Sequence, residues 1–162
     1  MKIRSLIVLL TFALAVSLPL CAQSGQCQSV GGVLMTNIGA ITPGSINLGP
    51  VYGDLAGSVA AQILSANPDG TYTVQHYWVT AAGDTILLKQ AILTPAYPVY
   101  TAMIQNKAIV AVPWGNYKSD IAGGTGKFEG ATGTLSYFGM ADFTNNTLVL
   151  RYSGTVCYKQ PQ

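Results

Sequence analysis

The chain has 162 residues, a formal charge of +2 and only 9% charged residues, against roughly a quarter in an average soluble domain. With so few charges and no basic cluster, there is no electrostatic footprint for nucleic acid or for an anionic membrane surface. The chain is 49% apolar, with 18 Gly and 9 Tyr, which points to a compact β protein and away from disorder.

Met1-Lys-Ile-Arg4 is a short basic start, and Ser5–Leu20 is a nearly unbroken apolar run with Ala22 at a cleavage edge. This pattern predicts a secretory signal peptide over residues 1–22. The run is short for a spanning helix and carries Pro19, so no stable membrane insertion is expected after cleavage. Lipid attachment at Cys21 and an uncleaved anchor are the alternatives, although Leu20 is bulky where lipid sites take a small residue. The mature chain, Gln23–Gln162, is 140 residues long and makes a single domain. Its charge is balanced at six basic and six acidic residues, because Lys2 and Arg4 leave with the signal. Export places the protein in the periplasm or outside the cell. Cys27 and Cys157, 130 positions apart, are then expected to form a disulfide, with two free thiols as the alternative. The chain-entropy model sets a ceiling of roughly 5 kcal/mol on such a bridge.

Gly25–Pro50 is rich in Gly, Ser, Thr, Asn and Pro, and reads as one strand near Val33–Ile38 followed by a long loop. Gly53–Ala66 alternates, with Leu55, Gly57, Val59, Ala61 and Ile63 on one face. Asn67-Pro-Asp-Gly70 is a turn, since Pro sets one central φ and Gly supplies a positive one. Thr71–Thr80 returns as a strand of β-branched and aromatic residues. It places Tyr72, Val74, His76 and Trp78 on one face and Thr71, Thr73 and Gln75 on the other. After the Ala82-Gly-Asp84 turn comes a strand over Thr85–Thr94, which Pro95-Ala-Tyr-Pro98 interrupts. Further strands are expected over Ala108–Val112, Tyr117–Ile121, Lys127–Gly130, Gly133–Phe143 and Thr147–Tyr158. In the last, Leu148, Leu150, Tyr152, Gly154, Val156 and Tyr158 share one face. Cys157 alternates onto the other with Arg151, Ser153 and Thr155, which puts the bridge outside the barrel.

The stretch Gly123–Leu135 holds five glycines in eleven residues, with Phe128 in the middle. It reads as a short Gly-rich strand between two tight turns, with Phe128 facing one way with Gly126 and Gly130, and Lys127 and Glu129 the other. It is not a phosphate-binding loop, because Gly126-Lys127 is followed by Phe128 and Ile121 stands where the first Gly belongs. A dinucleotide fingerprint fails too, since Glu129 occupies the third Gly position.

Turns recur every 10–15 residues or so and no segment keeps a helical period. The fold class is therefore all-β, an antiparallel barrel or sandwich; the inward glycines suit a barrel, and the expectation is a single closed antiparallel eight-stranded barrel over residues 23–162, with an interior that is filled or holds one small ligand. A lipocalin-like barrel is the runner-up, but its Gly-x-Trp signature is missing at both Trp78 and Trp114.

Ile121-Ala-Gly-Gly-Thr-Gly-Lys-Phe-Glu-Gly-Ala-Thr-Gly133 resembles the paired-Gly, Gly-x-Phe-x-Gly stretch of the allene oxide cyclase and dirigent-like barrel proteins, in their small secreted bacterial form. Leu48-Gly-Pro-Val-Tyr-Gly-Asp54 and Arg151-Tyr-Ser-Gly-Thr-Val156 support the likeness, which spans Ser45–Tyr158. The resemblance implies an eight-stranded barrel with an apolar cavity and a homotrimer. It also implies either cyclisation of a fatty-acid-derived allene oxide or steering of phenoxy-radical coupling. The plant cyclases place a Glu early in the first strand. The matching region here, Val30–Ile41, has no acidic residue, so no catalytic residue is carried over.

The expected function is a secreted barrel that binds a small apolar or aromatic molecule. An isomerase or cyclase acting on a lipid-derived substrate, without metal or nucleotide cofactor, is the alternative, as is a structural barrel with a filled core. Tyr72, His76, Trp78, Phe128 and Tyr152 are the expected lining, because aromatic rings supply apolar area and His76 and the hydroxyls supply orienting polar points. Asp54, opening a strand after Gly53, is added at a barrel mouth. His76 is the sole histidine, and a hydrogen-bonded core role is the bland reading of it. With both cysteines bridged, no metal-ligand set and no cofactor are expected.

Overall fold

A computed structural model describes residues 26–39, 41–95, 100–104 and 107–159, with backbone alone for 100–104 and 107–116. The predicted signal peptide, with Cys21, lies outside the described residues. The strands are β1 (Gln26–Asn37), β2 (Ile46–Gly53), β3 (Gly57–Ala66), β4 (Tyr72–Thr80), β5 (Thr85–Leu88), β6 (Ala91–Leu93), β7 (Tyr100–Ile104), β8 (Lys107–Gly124), β9 (Thr132–Asp142) and β10 (Thr147–Tyr158). Neighbours pair antiparallel in the order β1-β2-β3-β4-β5-β8-β9-β10, and β10 closes on β1. The fold is thus a closed antiparallel barrel of eight strands. Strand β6 pairs with β4 below β5, and β7 pairs with the first half of β8. These three short strands succeed one another along the same side of the barrel.

Alternation fills the interior. On β10, Leu148, Leu150, Tyr152 and Val156 are buried, while Thr147, Val149, Arg151, Ser153 and Thr155 are exposed. On β4, Val74, His76, Trp78 and Thr80 are buried. Antiparallel order puts the β2–β3, β4–β5 and β8–β9 connections at one end, together with both described termini. Leu55 and Phe128, from two of those connections, are 1% and 0% exposed and stopper that end. Cys27 and Cys157 face each other in register and form a disulfide there. Cys27 is exposed and Cys157 half-buried, on the outward side of the strands.

The structure departs from the sequence reading in several places. Lys127–Gly130 is not a strand. Gly126–Phe128 is a single 3-10 turn, closed by Phe128 N–H to Thr125 O and Glu129 N–H to Gly126 O. Gly126 and Gly130 take positive φ, a conformation that winds the chain and does not extend it. Phe128 accordingly turns inward to pack on Tyr158, and Lys127 Nζ lies 5.0 Å from the centre of its ring. The long loop expected before Pro50 contains β2, and β1 begins at Gln26, well before Val33. Gly53 ends β2, so β3 starts only at Gly57. The two strands expected over Ala108–Val112 and Tyr117–Ile121 are one long β8, whose register against β9 shifts between Trp114 and Tyr117. A bulge of this kind keeps one strand continuous while re-aiming its side chains. Thr85–Thr94 divides into β5 and β6.

Candidate functional site: a polar cluster inside the barrel

Four polar side chains meet inside an otherwise apolar barrel. His76 comes from β4, Tyr117 and Ser119 from β8, and Tyr137 from β9. Each points inward because its strand alternates, and all are 5% exposed or less. Tyr117 and Tyr137 are register partners across β8 and β9. Their rings stack with centroids 4.6 Å apart, and the imidazole stacks on Tyr137 at 5.2 Å. The Tyr117 hydroxyl lies 3.4 Å from His76 Nε2, and the Ser119 hydroxyl 3.4 Å from Nδ1. Both contacts are at the long limit for hydrogen bonds. The Tyr137 hydroxyl is buried and completes no hydrogen bond among the described residues. The cluster is therefore under-satisfied, which costs stability in a dry interior unless something else satisfies it.

Burial keeps every member neutral. It pulls His76 down to about 4, so the imidazole is uncharged at neutral pH. It pushes Tyr117 well above the ordinary phenol value, with Tyr137 adding to the effect. Tyr137 is raised as well, by burial. Neutral donors and acceptors of this kind can orient a polar group on a guest. They supply no fixed charge, and the described carboxylates are all outside the buried core. Among the described residues, no three His, Cys, Asp or Glu side chains gather as a metal site would need.

The expected lining residues fall at different depths. His76 sits in the cluster. Trp78 is one step nearer the stoppered end, where its indole N–H donates to Leu55 O at 2.9 Å and its ring meets Tyr152 edge-on. Tyr152 accepts from Leu55 N–H at 2.9 Å and donates to Tyr52 O at 3.2 Å. Burial raises its pKa, and the Leu55 N–H holds it back. Gly32 makes this possible, since an added Cβ there would strike the Tyr152 ring and Tyr52 O. Phe128 forms the stopper and is closely surrounded. Tyr72 is half-buried, packed against the core from the opposite end of β4. Asp54 is exposed on the outer side of the β2–β3 connection, where Oδ2 accepts from Gly31 N–H at 2.8 Å. Tyr117, Ser119 and Tyr137 were not anticipated. Their alternation was readable, but the register across β8 and β9 that sets Tyr117 beside Tyr137, and the closure of the barrel that brings both to His76, were not.

The barrel is similar to the solved structure of the pterocarpan synthase dirigent protein GePTS1, at 15% identity and a TM-score of 0.36, over 85% of this chain and 93% of that one. It is also similar to the pterocarpan synthase dirigent protein PsPTS1, at 13% identity and a TM-score of 0.36, over 86% of this chain and 99% of that one. No protein-family model and no curated protein matches the chain. Likeness at this level brings neither a family nor an activity to the chain.

Proposed function

We propose that the barrel binds a small, uncharged, largely apolar or aromatic molecule, oriented by His76, Tyr117, Ser119 and Tyr137. The observation that carries this is the unpaired Tyr137 hydroxyl, buried beside two long contacts to His76. A guest with one hydrogen-bonding group would satisfy it. Binding fits better than cyclisation or isomerisation, because a neutral cluster orients a molecule but offers no charge to steer a reaction. A structural barrel with a filled core is the second reading, favoured by Phe128, Leu135, Ala141 and Val156 at 0% exposure. Native mass spectrometry of protein taken from its own host separates the two. A co-purifying small molecule, released by organic extraction, is expected; a bare mass under conditions that keep the barrel folded supports the filled core.

The same reading includes export, which the Cys27–Cys157 disulfide supports through its need for an oxidising compartment. No helix among the described residues is long and apolar enough to cross a membrane. It also includes self-association, with the homotrimer that the resemblance implies as the expected form. The outward row Leu48, Ala60, Tyr77 and Leu87 runs across β2, β3, β4 and β5. Leu48, Tyr77 and Leu87 are more than half exposed, and an apolar row of this extent favours a protein contact. Light scattering on the mature protein tests it, and a monomer at micromolar concentration removes the trimer from the reading.

A further inference from the structure

A second site lies on the outer surface of the barrel wall, on strands that also contribute Tyr137 and Tyr152 to its lining. A groove of about 560 Å³ runs over β1, β10 and β9 and is open to solvent. Register builds it row by row. Ser136, Ser153 and Gly31 are successive partners across the three strands and form the floor. Phe138, Arg151 and Val33 form the next row and one wall. Gly31 has no side chain, which deepens the floor where Asp54 folds over it. Asp54 is fixed there by two bonds to Gly31, Asp54 N–H to O and Gly31 N–H to Oδ2. Its other oxygen, Oδ1, accepts nothing from the described residues.

The groups left unpaired here are complementary to one chemistry. The Arg151 guanidinium is exposed, and among the described residues it joins no ion pair and covers no ring. The Phe138 ring directly across from it is 60% exposed. Gly31, which anchors Asp54, and Arg151 are one strand and two residues apart, or about 8 Å at the backbone. A guanidinium fork takes a carboxylate in two parallel hydrogen bonds. An exposed aromatic face takes the C–H face of a saturated ring, and a carboxylate oxygen with two serine hydroxyls takes neighbouring hydroxyl groups. A hexuronate carries all of these on one ring, namely a carboxylate, vicinal hydroxyls and an apolar face.

We infer that this groove binds an acidic sugar unit, of the hexuronate class, within an oligosaccharide. Arg151 holds the carboxylate, Phe138 carries the ring, and Asp54 Oδ1, Ser136 and Ser153 take the hydroxyls.

Titration calorimetry of the mature protein with trigalacturonate, and with a neutral trisaccharide of glucose, tests the inference. Binding of trigalacturonate is expected, weakening with salt as a charge contact does. Arg151→Met keeps the side-chain stem and should lower affinity about tenfold or more, the scale of losing a charge-assisted pair. Phe138→Ser should lower it as well, and both variants should melt with the wild type because both side chains are exposed. No binding, equal binding of the neutral sugar, or undiminished binding by Arg151→Met overturns the inference.

Discussion

The Tyr152 hydroxyl accepts from Leu55 N–H and donates to Tyr52 O, and so ties β10 to the connection that stoppers one end of the barrel. The two bonds join residues 97 and 100 positions apart. Among the described residues no other side chain replaces the first of them, and Leu55 is buried. Tyr152→Phe therefore leaves a buried N–H unpaired, at a cost of about 1–3 kcal/mol. Urea denaturation of the variant should show that loss with an unchanged m-value. A change under about 0.5 kcal/mol, the scale of a neutral surface substitution, would mean the stopper does not depend on this tie.

Tyr137→Phe should behave in the opposite way. Its hydroxyl is buried and unpaired, so removing it takes away a polar group that the empty barrel does not satisfy. The empty variant should be as stable as the wild type or slightly more so. If a guest normally pairs with that hydroxyl, affinity for it should fall by a factor of about ten, the scale of one hydrogen bond. Thermal melting with and without the co-purified molecule reads both effects. A destabilised empty variant with unaltered affinity would assign Tyr137 to the core alone.

The Cys27–Cys157 bridge closes nearly the whole chain into a loop across the β1–β10 seam. Its 130-residue separation makes the entropic gain large, and typical native bridges contribute about 2–4 kcal/mol. The seam is also paired continuously from Gln26 to Asn37, so the reduced protein should remain a barrel. Denaturation with and without reductant is expected to show a lower midpoint and an unchanged far-ultraviolet spectrum. Unfolding on reduction alone would show that the strand pairing cannot hold the seam.

Much of the barrel was legible because its signals are local. β10 was bounded at Thr147 and Tyr158, and its alternation alone assigned each side chain to a face. The same alternation placed His76 and Trp78 inward and Cys157 outward. β2 was missed because Gly49 and Pro50 read as loop residues. Pro50 is tolerated there while its neighbours pair with β3, from Ile46↔Gln62 to Val51↔Gly57. The glycine stretch misled for a related reason. Extended and wound chain both suit glycine, and only the observed φ values separate them. The site was harder still. Tyr117, Ser119 and Tyr137 meet His76 across the barrel interior, from strands that do not pair with β4, and no local pattern encodes which rows align.

His76 gives the barrel a pH dependence of stability with a definite sign. Burial lowers its pKa from an ordinary 6.5 to about 4 in the folded state. In the unfolded chain the imidazole is free to take its proton near 6.5. Between those values the unfolded state binds more protons than the folded one, so falling pH favours unfolding. The contribution is fully favourable above pH 6.5, is lost as pH falls toward 4, and changes no further below that. A shift of this size corresponds to roughly 3 kcal/mol across the window. The groups that face the imidazole do not titrate there. Tyr117 and Tyr137 are both raised and stay protonated, and Ser119 is neutral. Asp69 and Asp142, both lowered by hydrogen bonds from Thr71 and from Asn145, lose their contributions mainly at the acid end of the range. They are common to the wild type and to His76→Gln, a variant whose amide keeps one donor and one acceptor for Ser119 and Tyr117. Urea unfolding of both proteins at pH 7.5 and pH 4.5 isolates the histidine. The wild type should lose more stability than the variant, by about 2–3 kcal/mol. Parallel losses in the two proteins would mean that the folded imidazole takes up its proton without cost, and that the cluster is wetter than its burial indicates.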